Sequence, residues 1–351
     1  MTHTKLLCLT GMLLLLLAAC GYNPYPLAEN GPYRVGMRTI HLVDESREDR
    51  RVSVTLWYPA VQPADPTSTM PTRDAEADAK GAPYPLLLSS TKVATIFAPY
   101  LVSRGFVWAS VDGIDSYFSF YEGAIEQPLD ILFALEQVAS NPPEGLEGLF
   151  DANMAGTIGY SFDGFNSLAM SGARIDPEYY LSQCPTPDAT TEAVLGKLSA
   201  LSCGPAGEWD EFSASLDEAI TATQDGLWQP LTDARIRAIM PMACEGWWLF
   251  GEKGLAAVDR PVLMIDATND ELYKENVLIY ERLGTSDKAL ISFVGRDHMM
   301  IYDAGMVARM AHFAAAFFGY HLQGRQDFAR YYSEAFVSKH DDLAWGVFPG
   351  K

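Results

Sequence analysis

The sequence predicts an α/β fold, with a mainly parallel β-sheet, helices on both faces and a cap-like insertion. Three observations predict it. Short, continuous apolar runs are typical of strands buried on both faces, other segments carry apolar residues at helical spacing, and the two kinds alternate along the chain. Of the 351 residues, 48% are hydrophobic and 20% are charged, which suffices for a large globular core.

Residues 1–19 are predicted to be a lipoprotein signal peptide. Lys5 precedes an apolar run that is shorter than the ~20 residues of a transmembrane helix. The run ends in "LAAC", which resembles the bacterial lipobox, in which the cysteine, here Cys20, is lipid-modified and becomes the new N-terminus. Ordinary signal cleavage after a small residue is the alternative. We therefore expect an extracytoplasmic protein held to a membrane through Cys20, with residues 20–34 as its tether.

The main domain is expected to span residues 35–351. Residues 38–44 and 51–59 alternate apolar and polar side chains around a charged turn, as a hairpin does, and residues 60–83 are rich in Pro, Ala and Asp, as a surface loop is. Buried strands are expected at residues 84–90, 106–112, 154–160, 236–243, 260–267 and 289–295. Helices are expected at residues 96–105, 123–140, 273–284 and 305–322, and directly after Ser161.

Residues 174–232 interrupt this alternation and are predicted to form the insertion. They contain Cys184 and Cys203, which flank a short polar segment and could form a disulfide in an exported protein. Such a bridge would contribute ~3 kcal/mol in the chain-entropy model. Cys244 lies in an apolar run and is expected to be a buried thiol.

The segment "TIGYSFDGFN" predicts a nucleophile at Ser161. The pattern G-x-S-x-G places a serine on a sharp turn between a strand and a helix, and the acid and the histidine of a catalytic triad then follow in that order. Here Gly159 fits, Asp163 takes the place of the second glycine, and Gly164 comes one residue later. Asp163 falls in the first helical turn, where the helix dipole favours a carboxylate by ~0.3–1 kcal/mol.

The histidine and the acid are sought after Ser161. Of the six histidines, only His298 lies in a loop directly after a predicted strand; a solvated loop histidine is the alternative. Asp270 lies just past the preceding strand and is the expected acid. Asp266 would lie within that strand, where a buried carboxylate is costly. Glu245, after the strand before it, is the second candidate.

Several motifs occur in an order that resembles bacterial α/β-hydrolases. "RRVSVTLWYPA", "PYPLLLSS", "GYSFDG", "RPVLMIDATND" and "GRDHMM" look most like the predicted dienelactone hydrolase and platelet-activating-factor acetylhydrolase-like group. The likeness covers residues 36–325 and is weakest in the insertion. It implies the α/β-hydrolase fold, with Ser161 as nucleophile, Asp270 as acid and His298 as base.

The sequence departs from this family at the predicted oxyanion hole. The family usually has a His-Gly pair after the "PLLL" strand, where this chain has Thr91 and Lys92. The hole needs one backbone N–H from this segment and one from the residue after the nucleophile. Those N–H groups would be Val93 and Phe162.

The resemblance implies a carboxylic-ester hydrolase acting on a small or lipid-like ester. Tyr160, Trp247 and Trp248 are expected to line its pocket, although aromatic residues are as often plain core. An amidase or thioesterase with the same triad is an alternative, and a non-catalytic surface binding protein is another.

With 25 basic against 45 acidic residues, the net charge of −20 makes nucleic acid an unfavourable partner. The triad mechanism needs neither a metal nor an organic cofactor, and no Cys/His cluster has zinc spacing.

Overall fold

The computed structural model describes residues 23–61, 70–113, 122–195, 203–223 and 225–349. Within these residues ten strands form one mixed sheet. In chain order the strands are β1 (Arg34–Asp44), β2 (Arg50–Ala60), β3 (Thr72–Arg73), β4 (Tyr84–Ser90), β5 (Val107–Val111), β6 (Phe150–Tyr160), β7 (Ile236–Met242), β8 (Val262–Ala267), β9 (Lys288–Phe293) and β10 (Leu343–Trp345). Their spatial order is β10-β9-β8-β7-β6-β4-β5-β2-β1-β3.

The central strands are parallel and the outer ones mostly antiparallel. Strands β4 to β9 pair in parallel, whereas β1 with β2, β2 with β5, and β10 with β9 pair in antiparallel fashion. The predicted α/β class with a mainly parallel sheet is therefore confirmed. Because the carboxyl ends of parallel strands lie along one edge of the sheet, loops after β4, β6, β7, β8 and β9 lie at that edge.

Helices pack on both faces of the sheet. In the described residues the α-helices are α1 (Thr91–Val102), α2 (Gln127–Ser140), α3 (Phe162–Met170), α4 (Pro177–Gln183), α5 (Ala189–Leu195), α6 (Trp209–Ala214), α7 (Glu218–Thr221), α8 (Trp247–Leu255), α9 (Tyr273–Arg282), α10 (Ala304–His321) and α11 (Glu334–Val337). Leu86 and Leu88 of β4 belong to the core on the α2, α3, α8 and α9 face, while Leu87 between them belongs to the core under α1 and α10. This division explains the continuous apolar run, since both faces of the strand are buried.

Several elements differ from the expected bounds. Helix α1 begins at Thr91, directly after β4, rather than at residue 96, because Ser90 caps its first turn. Helix α8 and strand β10 were not expected from the sequence; β10 has only three residues and pairs with the end of β9. None of the helices in the described ranges has the length and apolar character needed to cross a bilayer.

Part of the predicted tether, residues 23–33, lies within the described residues. The signal peptide and Cys20 lie outside the described residues, but residues 23–33 pack onto the domain instead of extending from it. The Leu27 N–H donates to Nδ1 of buried His312 at 3.0 Å, and the Tyr25 ring stacks on His340 with centroids 4.6 Å apart. The Arg309 guanidinium lies 4.8 Å from the Tyr25 ring centroid. These contacts hold the segment because apolar and aromatic side chains gain free energy when they are buried.

In the residues that the structure describes, the insertion contains four short helices, α4 to α7, between α3 and β7. Cys184 and Cys203 form a disulfide with Cα atoms 5.5 Å apart, so the predicted pairing is confirmed. Trp209 and Trp228 stack with centroids 5.3 Å apart and give the insertion an aromatic core. Cys244 is a buried free thiol, as expected.

Candidate active site

Ser161 lies at the tip of a sharp turn between β6 and α3. Its backbone has φ 62° and ψ −132°, a conformation that residues other than glycine rarely adopt. Two bonds hold it there, from the Ser161 N–H to the Met242 carbonyl at 2.9 Å and from the Gly164 N–H to the Ser161 carbonyl at 2.8 Å. The hydroxyl makes no capping bond to α3, so it remains directed away from its own helix.

Two glycines allow this turn to pack against the sheet. A Cβ atom on Gly159 would lie 2.0 Å from the Asp163 carbonyl oxygen, and one on Gly164 would lie 2.5 Å from Cβ of Cys244. No flexible side-chain end could move away from the first contact. Gly164 therefore provides the close approach between α3 and β7, and position 163 can carry a side chain.

The structure brings Ser161, His298 and Asp270 together. His298 Nε2 lies 3.1 Å from Ser161 Oγ, and Nδ1 lies 2.8 Å from Asp270 Oδ2. Asp270 follows β8 and its side chain is 0% exposed, while His298 follows β9 and is partly exposed. The Leu272 N–H donates to the other Asp270 oxygen at 2.9 Å and fixes the carboxylate. The three loops meet because their parallel strands end at the same edge of the sheet.

The hydrogen bond to the Asp270 carboxylate raises the pKa of His298 above its ordinary value, although burial acts in the opposite direction. A negative carboxylate beside the imidazole favours its protonated form. The pair is therefore arranged to stabilise a histidine that has just accepted a proton.

The two other acids are not bonded to the histidine. Glu245 follows β7 and lies near His298, and burial raises its pKa. Asp266 is buried within β8, and its pKa is raised well above the ordinary value, first by burial and then by the charge of Asp270. Its Oδ1 accepts the Ala267 N–H at 2.6 Å. Of these candidates, only Asp270 is within hydrogen-bond distance of the imidazole in the described structure.

Tyr160 supports the histidine. Its hydroxyl donates to the His298 carbonyl at 2.7 Å, and the two rings have centroids 5.3 Å apart. Sequence reasoning predicted a substrate contact here, but the observed bond fixes the backbone of the loop that carries His298. The sequence indicated that Tyr160 lies near the site, because it is the last residue of the strand that leads into Ser161.

Trp247 and Trp248, which were expected to line the substrate pocket, pack against the insertion. Trp247 lies edge-on to Tyr179 at 5.6 Å and donates from Nε1 to Thr191 Oγ1 at 3.2 Å. Trp248 lies 5.9 Å from Tyr180. Both tryptophans are buried. Their observed contacts are those of core residues, the alternative that the sequence left open.

The predicted oxyanion donors lie at the starts of two helices. Val93 is the third residue of α1, and its N–H points at Ser90 Oγ, 3.5 Å away. Thr91 and Lys92 precede it in the same turn, and Phe162 is the first residue of α3. The first N–H groups of a helix have no acceptor within that helix. Because the Val93 N–H is directed at Ser90, the N–H groups of Thr91 and Lys92 are further candidates in the first turn of α1, beside that of Phe162.

Asp163 is buried and bonded to a neighbouring strand. Its Oδ2 accepts the Ser90 hydroxyl at 2.5 Å, and its Oδ1 accepts from Asn166 Nδ2 at 2.9 Å. The expectation that it serves only the start of α3 is therefore incomplete. The contact to Ser90 joins residues 73 positions apart and could not be inferred from local sequence.

In the described residues, no group of three or more His, Cys, Asp or Glu side chains is placed to hold a metal ion. No protein-family model matches this chain, and no curated protein matches it either.

Proposed function

We propose that this protein is a serine hydrolase with the α/β-hydrolase fold that cleaves carboxylic esters. The observation that carries the proposal is the continuous chain of hydrogen bonds from Asp270 through His298 to Ser161, with Ser161 on a strained turn between a strand and a helix. Nucleophile, base and acid in this order and geometry are what acyl transfer by a serine requires.

In the proposed reaction, Ser161 Oγ attacks the carbonyl carbon of the ester. His298 Nε2 takes the hydroxyl proton and gives it to the departing alcohol, which leaves an acyl group on Ser161. A water molecule then attacks this acyl group, and His298 takes a proton from the water. His298 returns this proton to the departing Ser161 Oγ, and the carboxylic acid is released. Asp270 holds the imidazole in the required tautomer and stabilises its protonated form throughout.

The tetrahedral intermediates carry a negative oxygen, which needs hydrogen-bond donors. In this proposal the Phe162 N–H provides one donor and the first turn of α1 provides the other. Both groups lie at helix N-termini, where the dipole also favours negative charge. No side chain is needed for this purpose, so Thr91 and Lys92 in place of His-Gly are compatible with the proposal.

The protein is proposed to act outside the cytoplasm, anchored to a membrane through a lipid on Cys20. The lipobox-like "LAAC" and the Cys184–Cys203 disulfide support this location, since disulfides persist in oxidising compartments. A small ester or a lipid-like ester is the proposed substrate.

Labelling with a fluorophosphonate tests the proposal. The purified protein should be modified at Ser161, and Ser161→Ala should lose both the label and the hydrolysis of p-nitrophenyl acetate. Ser140→Ala removes an exposed hydroxyl at the end of α2 and is the control, which should keep both. A folded protein whose Ser161 stays unmodified would favour the alternative of a non-catalytic binding protein.

Matched ester, amide and thioester substrates test the reaction class, because the same triad serves all three. The ester should be cleaved fastest. Faster cleavage of an amide or a thioester under the same conditions would replace the proposed class with an amidase or a thioesterase.

A further inference from the structure

A buried chain of polar side chains connects the Ser161 turn with the start of α1. Ser90, the last residue of β4, donates its hydroxyl proton to Asp163 Oδ2 at 2.5 Å, while Asn166 Nδ2 donates to Asp163 Oδ1 and to Gln127 Oε1, each at 2.9 Å. Ser90 is 0% and Asp163 is 6% exposed. A carboxyl group is costly to bury unless its oxygens are bonded, so its place here is set by these partners.

Ser90 is also the N-cap of α1. Its hydroxyl has a single proton, and this proton goes to Asp163, so the lone pairs of the oxygen face the Val93 N–H. Strand β4 lies beside β6, so the starts of α1 and α3 are neighbours at the carboxyl edge of the sheet. Through Ser90, the Asp163 carboxyl thus ties the first turn of α1 to the turn that carries Ser161.

We propose that Asp163 is a positioning residue, which through Ser90 holds the first turn of α1 at the distance from Ser161 at which its N–H groups bind the oxyanion. This inference rests on the proposed function. Gly164 already provides the close approach of α3 to β7, so a glycine at position 163 is not needed and a bonding side chain can take its place. Substrate would never touch Asp163; its effect would pass through backbone N–H groups.

The expected effect is moderate, because a second contact also holds this turn. The Thr91 hydroxyl bonds to Asp112 on the other side. Asp163→Ala and Ser90→Ala should therefore each lower kcat for p-nitrophenyl acetate by about 10- to 100-fold, less than the ~10²–10³-fold loss of a direct oxyanion donor. KM should change by less than about threefold, since the oxyanion exists only after attack on the substrate.

The affinity for a boronic acid, which forms a tetrahedral adduct with the serine, should fall in parallel with kcat. Asp163→Asn keeps an acceptor oxygen for Ser90 and should retain activity to within about fivefold of the wild type. The double variant Asp163→Ala/Ser90→Ala should be no slower than the slower single variant, because both act through one contact.

Asp44→Ala is the matched control. Asp44 is also 6% exposed and also accepts a serine hydroxyl, that of Ser46 at 2.6 Å, but it lies at the end of β1. This variant should lower stability and leave kcat and boronic acid affinity unchanged. If Asp163→Ala and Ser90→Ala behave in the same way, losing stability alone, Asp163 is only structural and the inference is wrong.

The outcomes separate this inference from the proposed function. A wild-type protein that neither hydrolyses esters nor reacts at Ser161 would overturn both. An active wild type whose Ser90→Ala variant keeps its kcat would overturn only the role of Asp163. Ser90→Ala and Asp163→Asn decide the question if Asp163→Ala does not fold.

Discussion

Ser161 combines backbone strain with a side chain free of its own helix. A non-glycine residue at φ 62° costs free energy, which the surrounding contacts of Gly159 and Gly164 must offset. The same turn places Oγ 3.1 Å from His298 Nε2, so the backbone strain and the hydrogen bond to His298 have one structural origin.

Replacing each of the two candidate acids by its amide tests the assignment of Asp270 as the acid of the proposed triad. Asp270→Asn should lower kcat by about 10⁴-fold, as the wrong imidazole tautomer does in a related triad. Glu245→Gln should lower it by less than about tenfold, because Glu245 acts on His298 only through its charge. Kinetics on p-nitrophenyl acetate with both folded variants measure this. The reverse ranking would place the acid after β7 instead of β8.

The pH dependence of kcat/KM tests the state of His298. In the proposed mechanism His298 must be neutral to accept a proton, and the hydrogen bond to Asp270 raises the pKa of His298. Activity should therefore rise with pH through an apparent pKa above the ordinary imidazole value of ~6.5. The pair's contribution to stability should be complete below the unfolded-state pKa and be lost as pH rises through the folded one. An activity limb below ~6.5 contradicts the expected effect of Asp270.

At the level of elements, the start of α8 is held by a residue of α9. Glu275 Oε1 accepts the N–H groups of Gly246 and Trp247, each at 2.9 Å. Burial, followed by the charge of Glu245, raises the pKa of Glu275 to about 8. A carboxyl group that caps a helix would gain from being charged, but here the loss of hydration outweighs the two N–H bonds.

Glu275→Gln tests this balance through stability at different pH. The pKa of Glu275 in the folded protein lies above its value in the unfolded chain. Its contribution to the free energy of unfolding is therefore complete below the unfolded-state pKa of ~4.3 and is lost as pH rises through about 8. Urea unfolding at pH 5, 7 and 9 should show that the free energy of unfolding of the wild type declines as the pH rises, and that this decline is absent from the glutamine variant. Glu252→Gln, at an exposed site on α8, is the control and should follow the wild type. Equal slopes in all three proteins would mean that Glu275 is ionised in the folded state.

For the whole molecule, the packed N-terminal segment limits how far the domain can extend from a lipid anchor. Asn23 and the residues that follow it are described, and Leu27 contacts His312 of α10 while Tyr25 contacts His340. The three peptide units from Cys20 to Asn23 span at most about 11 Å. A lipid on Cys20 would therefore keep the domain close to the bilayer instead of on a flexible tether.

Fractionation of the host tests the anchor. The full-length protein should sediment with membranes and need detergent for release, and Cys20→Ser should remove this requirement or block processing. Cys8→Ser is the matched control, since it changes a cysteine of the predicted signal peptide and should stay with the membrane. Release of the unaltered protein without detergent would favour ordinary signal cleavage.

Much of the architecture could be predicted because it follows from local patterns of apolar and polar residues. Leu86, Leu87 and Leu88 are apolar because both faces of β4 are buried, and such runs mark the central strands wherever they occur. Ser161, Asp270 and His298 could be selected from the order of a motif and two loops after strands. The structure brings these three within hydrogen-bond distance, and their roles remain a proposal.

The rest was decided only by tertiary structure. Ser90 and Asp163 meet across two strands, Leu27 bonds to His312 over 285 positions, and β10 is a strand only because β9 offers an open edge. None of these contacts has a periodic signal, since each depends on a single donor, acceptor or edge supplied by a distant part of the chain. Local sequence determines which faces of the strands and helices are apolar. Buried polar groups can find their hydrogen-bond partners only after those faces have packed, because the partners come from distant parts of the chain.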